Sequence, residues 1–204
     1  MIKVKQIFVD GFDSNFSYLV YDVNTFDAAI VDPCGYVELI KEECQKLPFI
    51  RPKYILLTHG HEDHVSGIDE LLEFFKAPIL AYPKNLIKHD ISIAHKQKLK
   101  LGNSFIECLY SPGHTKDSVI YHLCDDSAIF TGDTLFIDCC GYCEPESMFA
   151  TMKEIIFPLA DSNIVYSGHD YGSTPFATLG EEKVTNPFLS AKTLSDFKKL
   201  LNNL

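Results

Sequence analysis

Tyr54-Ile55-Leu56-Leu57-Thr58-His59-Gly60-His61-Glu62-Asp63-His64 joins a short apolar run to three histidines and two acidic residues. Four apolar residues bounded by turn signals read as a buried strand, so the polar cluster falls on a loop at that strand's C-terminal end. Imidazole and carboxylate together suit Zn, Fe, Mn or a similar divalent ion, and a short irregular loop can turn successive ligands toward one or two ions. A shuffled chain of this composition shows His-x-His-x-Asp-His on the order of once in a thousand tries, which sets the motif apart from a chance run of solvated loop residues.

Three further candidates sit in similar settings. His114 lies in the turn Ser111-Pro112-Gly113-His114-Thr115, Asp133 in Thr131-Gly132-Asp133-Thr134, and His169 in Ser167-Gly168-His169-Asp170-Tyr171-Gly172. Each follows a strand-like run, at 105–109, 128–131 and 163–166. Loops at matching ends of separate strands can converge on one edge of a layered sheet, where a rigid scaffold presents functional groups. His89, His95 and His122 have no such setting and read as structural or solvated, since an isolated imidazole is more often hydrogen-bonded than ligating.

The rest of the pattern gives the frame. Strands are predicted at 4–9, 17–21, 28–31, 54–57, 79–82 and 119–122, and helices at 36–46, 67–75, 146–157 and 194–201. No internal repeat, low-complexity run or Gly/Pro/Ser-rich linker divides the chain, so a single domain over 1–204, with a short helical tail from about 178, is expected. Strands followed by alternating strands and helices predict a sheet-rich α/β body with helices outside.

Composition narrows the function classes. The 204 residues are 46% hydrophobic and 23% charged, which excludes a long disordered chain. No run approaches the roughly 18 apolar residues of a membrane span, and Met1-Ile2-Lys3-Val4-Lys5-Gln6 lacks the apolar core of a signal peptide, so a cytoplasmic protein is expected. A net charge of −10 disfavours nucleic acid and anionic membranes as partners. Seven cysteines without a small-scaffold framework read as reduced thiols. Cys140-x-x-Cys143, preceded by Cys139, carries a weak redox or metal signal against the ordinary reading of structural thiols. Lys84, Lys88, Lys96, Lys98 and Lys100 form the one basic concentration, either a solvated face or a dock for an acidic carrier domain or a substrate carboxylate.

Taken together, the motifs around His59, His114, Asp133 and His169 resemble the metallo-β-lactamase fold, and within it the glyoxalase II branch. Val31-Asp32-Pro33 and Glu181-Glu182-Lys183-Val184-Thr185-Asn186-Pro187-Phe188 also match that branch, so the resemblance spans nearly the whole chain. It implies an αββα sandwich of two mixed sheets flanked by helices. It also implies two divalent metal ions, zinc foremost and iron or manganese as alternatives. On the branch's pattern His59, His61 and His114 bind the first, Asp63, His64 and His169 the second, and Asp133 bridges them. Asp32 and Thr58 then orient ligands. The expected chemistry is hydrolysis by a shared hydroxide, with Asp63 helping to move a proton.

The resemblance leaves the substrate open between a glutathione thioester and an acyl group on a carrier protein. Tyr171 matches the branch's substrate-binding tyrosine. Tyr142 stands where the branch has a basic residue, and the chain runs about 35 residues past His169, short of the full helical extension. The same short form resembles the persulfide dioxygenases, in which one iron on His59, His114 and Asp133 replaces the metal pair.

Overall fold

The computed structural model describes residues 1–10 and 12–202. β-Branched and aromatic residues dominate the first third of the chain, and they form an antiparallel meander of β1 (Ile2–Phe8), β2 (Phe16–Asp22) and β3 (Asp27–Val31). Helix α1 (Val37–Gln45) buries Val37, Ile40 and Cys44 on one face and returns the chain to β4 (Arg51–Leu56). β4 lies parallel to β3, as a strand–helix–strand crossover requires. The helical turn α2 (Glu62–Val65) and helix α3 (Ile68–Phe74) lead to β5 (Ile79–Ala81), parallel to β4, with β6 (Ile91–Ser92) at the sheet edge.

The second sheet begins with β7 (Lys98–Leu101), β8 (Ser104–Tyr110), β9 (Val119–Leu123) and β10 (Ala128–Gly132), all antiparallel. Helix α4 (Pro145–Ala150) and a π-helical continuation at Thr151–Ile156 cross to β11 (Ile164–Ser167), parallel to β10, and β12 (Ala177–Thr178) closes the edge. Three helices follow: α5 (Leu179–Thr185), α6 (Pro187–Ser190) and α7 (Leu194–Leu201). The strand orders are β1-β2-β3-β4-β5-β6 and β12-β11-β10-β9-β8-β7.

Three apolar layers hold this stack together. One joins the two sheets through Tyr18, Val31, Leu56, Tyr121 and Phe130. A second seats α1 and α3 on the first sheet through Ile30, Ile40, Ile55 and Leu71, and a third seats α4, α6 and α7 on the second sheet through Ile129, Met148, Leu189 and Phe197. The expected αββα order is therefore present.

The structure differs from the expectations in several places. Residues 146–157 are not one α-helix: Phe157 N–H donates to the Met152 carbonyl, five residues back, at 2.9 Å. That widened turn is held from outside, by Thr151 Oγ1 donating to the Pro112 carbonyl (2.7 Å) and Lys153 Nζ to the Leu189 carbonyl (2.6 Å). The basic stretch contains β7, where Leu99 and Leu101 are buried while Lys98 and Lys100 face out. The lysines there are the outward half of a polar–apolar alternation, which the reading of the stretch as a basic concentration passes over. Residues 179–201 of the expected helical tail form α5, α6 and α7, with α6 and α7 seated on the second sheet; its last two residues lie outside the described chain.

Asn186 fastens that layer to the loop after β10. Its Nδ2 donates to the carbonyls of Phe136 (3.2 Å) and Cys139 (3.0 Å) and to Glu182 Oε2 (2.8 Å). Its Oδ1 caps Phe188 N–H and Leu189 N–H. Asn186→Ala strands these buried partners, and urea unfolding is expected to show a loss of about 2–4 kcal/mol.

Candidate metal centre

β3 and β4 run in one direction in the first sheet, and β8, β10 and β11 share one direction in the second. Asp32, the residues from Thr58 to His64, His114, Asp133 and His169 follow those five strands, so they emerge along one edge of the sandwich. Main-chain bonds pin the edge across both sheets. Val119 N–H donates to the Thr58 carbonyl and Phe16 N–H to the Gly168 carbonyl, both at 2.8 Å. Only glycine fits two of these corners. At Gly132, φ is +49° and a Cβ would lie 2.4 Å from Thr58 Oγ1; at Gly168 it would lie 2.3 Å from Asp133 Oδ1.

Two sets of side chains result, each with ligand atoms within 4.8 Å of one another: His59, His61, His114 and Asp133, and Asp63, His64 and His169. His61 Nδ1 is 3.1 Å from both His59 Nε2 and His114 Nε2. His64 Nε2 and His169 Nε2 are 3.3 Å apart. Asp133 joins the sets: its Oδ1 is 3.2 Å from His64 Nε2 and its Oδ2 is 3.3 Å from His169 Nε2 and 3.5 Å from His114 Nε2. Asp63 and His64 belong to α2 instead of the irregular loop expected for them, because the chain turns helical directly after His61.

The outer nitrogens of four imidazoles are spoken for. His114 Nδ1 donates to the Tyr142 carbonyl (2.8 Å), His169 Nδ1 to the Asp13 carbonyl (2.6 Å) and His64 Nδ1 to Asp32 Oδ2 (3.0 Å). Thr58 gives its hydroxyl proton to Asp32 Oδ2 (2.5 Å), so its oxygen accepts from His59 Nδ1 at 3.1 Å. These tautomers follow from the donor inventory, since carbonyl and carboxylate oxygens only accept. Each fixed ring aims its Nε2 lone pair inward, at other lone pairs and at carboxylate oxygens. Asp133 Oδ1 is buried without a hydrogen-bond partner. Lone pairs this close repel unless positive charge sits among them, so the donor set fits divalent cations.

The metallo-beta-lactamase superfamily model matches residues 10–203. The chain belongs to that superfamily. Among curated relatives it is 32% identical to the probable polyketide biosynthesis zinc-dependent hydrolase PksB of Bacillus subtilis (strain 168), covering 79% of this chain and 76% of the relative. It is 31% identical to the probable hydroxyacylglutathione hydrolase glo2 of Schizosaccharomyces pombe, covering 88% and 84%. Among solved structures, that of ETHE1 from Myxococcus xanthus superposes with a TM-score of 0.86 at 26% identity, covering 98% and 90%. The His/Asp cluster is of the metal-binding kind found in this superfamily.

The electrostatics of the centre carry the same demand for positive charge. Burial pushes His59 well below the ordinary imidazole range, and the neighbouring His64 adds to this. Burial also opposes charge on His64 and His169, but Asp133 with Asp32, and Asp133 with Asp63, override it. His64 is raised well above the usual range and His169 to about 9. Against its own burial, Asp133 is held well below the carboxylate range, chiefly by His64. Asp32 accepts from Thr58 N–H, the Thr58 hydroxyl and His64 Nδ1, and its φ of +47° places it in the left-handed region.

The other candidates are placed as follows. Tyr171 stacks on His169 (centroids 4.7 Å apart), and its hydroxyl donates to Asp13 Oδ2. The Tyr142 side chain is 91% exposed, while its carbonyl holds His114. It borders a groove of about 400 Å³ with His114, Lys116, Cys143 and Glu144. All seven cysteines are free. His122 bonds Asp126 (2.9 Å), His89 bonds Ser92 and the Ile87 carbonyl, and His95 accepts from Tyr110 N–H, all away from the centre. Asp13 and Asn15 contact the centre without having been singled out in the sequence. The only trace they leave there is a polar turn between two strands. Among the described residues no helix is long and apolar enough to cross a membrane.

Because His169 of the metal-free site holds its proton up to about pH 9, a cation has to displace protons to bind. Zinc added to metal-free protein in weak buffer at pH 7 is expected to release protons, read with an indicator dye. Apparent affinity is expected to rise with pH up to about 9. Affinity independent of pH between 7 and 9 contradicts the protonated state.

Proposed function

We propose that the chain is a metal-dependent hydrolase of acyl thioesters. The observation that carries this reading is the pair of ligand sets joined by Asp133. In this reading His59, His61 and His114 hold one cation, Asp63, His64 and His169 a second, and Asp133 both. Zinc is the first choice, iron or manganese the alternatives. Two such ions, when bound, lower the pKa of a shared water toward roughly 7 and polarise a carbonyl.

The chain's own groups supply the rest. Asp32 and Thr58 fix His59 and His64 in the tautomers that present Nε2 inward. Asp63 is the residue we assign to proton movement: its side chain is 25% exposed and its Oδ2 lies 3.3 Å from His169 Nε2. Although burial opposes it, His169 and His64 hold the Asp63 carboxyl well below the usual range, so the group is ionised and able to ligate. The groove beside His114, bordered by Tyr142, is the entry we assign to the acyl or thiol arm, with Tyr171 bordering the second ligand set.

The thiol carrier is glutathione or a carrier-protein arm; the similarity to the probable hydroxyacylglutathione hydrolase glo2 supports the first, and the similarity to PksB supports zinc-dependent hydrolysis. A second reading, a mononuclear iron dioxygenase acting on glutathione persulfide, draws on the similarity to ETHE1, which among the curated relatives is named a persulfide dioxygenase. It uses His59, His114 and Asp133. The protein is assayed with glutathione thioesters, carrier-linked acyl groups and glutathione persulfide, beside elemental analysis. The hydrolase reading expects about two metals per chain, thioester turnover, and more than about a 100-fold loss in kcat/KM for Asp133→Ala. Oxygen consumption with persulfide and about one iron per chain replaces it with the second reading; no turnover of any thioester ends it.

A further inference from the structure

We infer that the segment from Asp13 to Asn15 is a strap that positions the second ligand set, with Asn15 as its positioning residue. The inference rests on the two-cation reading above and extends it to residues outside the ligand sets. Asn15 is fully buried between β1 and β2, far in sequence from every ligand. Its Nδ2 donates both to the Asp63 main-chain carbonyl (3.0 Å) and to Asp63 Oδ2 (3.1 Å). One amide therefore fixes where this carboxylate sits and which way it is rotated. The Asn15 Oδ1 in turn accepts from Asp13 N–H at 3.0 Å, which shapes the strap itself.

The strap reaches the other ligands as well. Asn15 pairs with His169 as a β-bridge, and Asp170 N–H donates to the Ser14 carbonyl at 3.0 Å. The Asp13 carbonyl accepts from His169 Nδ1, while the Asp13 carboxylate accepts from the Tyr171 hydroxyl. Tyr171 stacks on the His169 ring, and Phe136 meets both rings edge-on, at 5.7 and 5.0 Å. His169 is thus held on its edge by Asp13 and on one face by Tyr171. Neither Asp13 nor Asn15 bonds His59, His61 or His114; Thr58 holds the His59 ring and the Tyr142 carbonyl the His114 ring. Loss of the strap is expected to act on one cation and spare the other.

Partners that orient a ligand commonly control metal affinity by about 10–100-fold. Metal-free wild type, Asn15→Ala and Tyr171→Phe are titrated with Zn²⁺ against a competing chelator, with circular dichroism as the check on folding. Wild type is expected to take two equivalents. Asn15→Ala is expected to bind one of them about 10–100-fold more weakly and the other unchanged. Tyr171→Phe, which keeps the stacked ring and loses only the bond to Asp13, is expected to weaken the same equivalent to a smaller degree. If Asn15→Ala does not fold, Tyr171→Phe alone decides. Two equivalents of wild-type affinity in the folded variants, or equal weakening of both, overturn the strap and leave the two-cation reading standing. A wild type that takes a single equivalent overturns both.

Discussion

Five imidazoles and two carboxylates aimed at one another are tolerable only with positive charge among them. Everything along the active edge follows from that constraint. Each of the four rings whose outer nitrogen is bonded turns it to an acceptor that cannot give a proton back, which removes the freedom to swing the inner lone pair away. In the metal-free chain protons supply the charge, and His64 and His169 hold theirs above the ordinary range even though they are buried. Those protons are what a divalent cation replaces.

The scaffold makes this crowding affordable by spreading it over both sheets. Asp32 ends a strand of the first sheet and accepts three hydrogen bonds, from Thr58 twice and from His64. Asp133 ends a strand of the second sheet and meets rings from both ligand sets. The sheets are locked by a shared apolar layer, so neither carboxylate can retreat without moving a packed strand. Gly132 and Gly168 let those strand ends approach to distances that a side chain would forbid.

Much of this arrangement is legible in the sequence. His59, His61, Asp63 and His64 announce themselves by density, while His114, Asp133 and His169 are marked by turn residues directly after apolar runs. Asp32 and Thr58 are marked only by the family resemblance. Other features leave less of a mark. The strap residues Asp13 and Asn15 look like ordinary turn polar residues, because their role depends on contacts with Asp63, His169 and Tyr171 across the fold. β7 is legible as Lys-Leu alternation but reads first as a run of charge, and the π-helical turn is accompanied by bonds from Thr151 and Lys153 to distant carbonyls that no local pattern reports. Local pattern reports what a segment buries; it does not report what reaches over to it.

The central claim is that the converged lone pairs hold cations, and anomalous scattering at the zinc edge from crystals grown with Zn²⁺ tests it most directly. The account predicts two peaks about 3.5–4 Å apart. One lies about 2.0–2.2 Å from nitrogens of His59, His61 and His114, the other at that range from His64, His169 and Asp63, with Asp133 touching both. A map with no peak at the cluster, or with the rings of His114 and His169 turned away from it, contradicts the account.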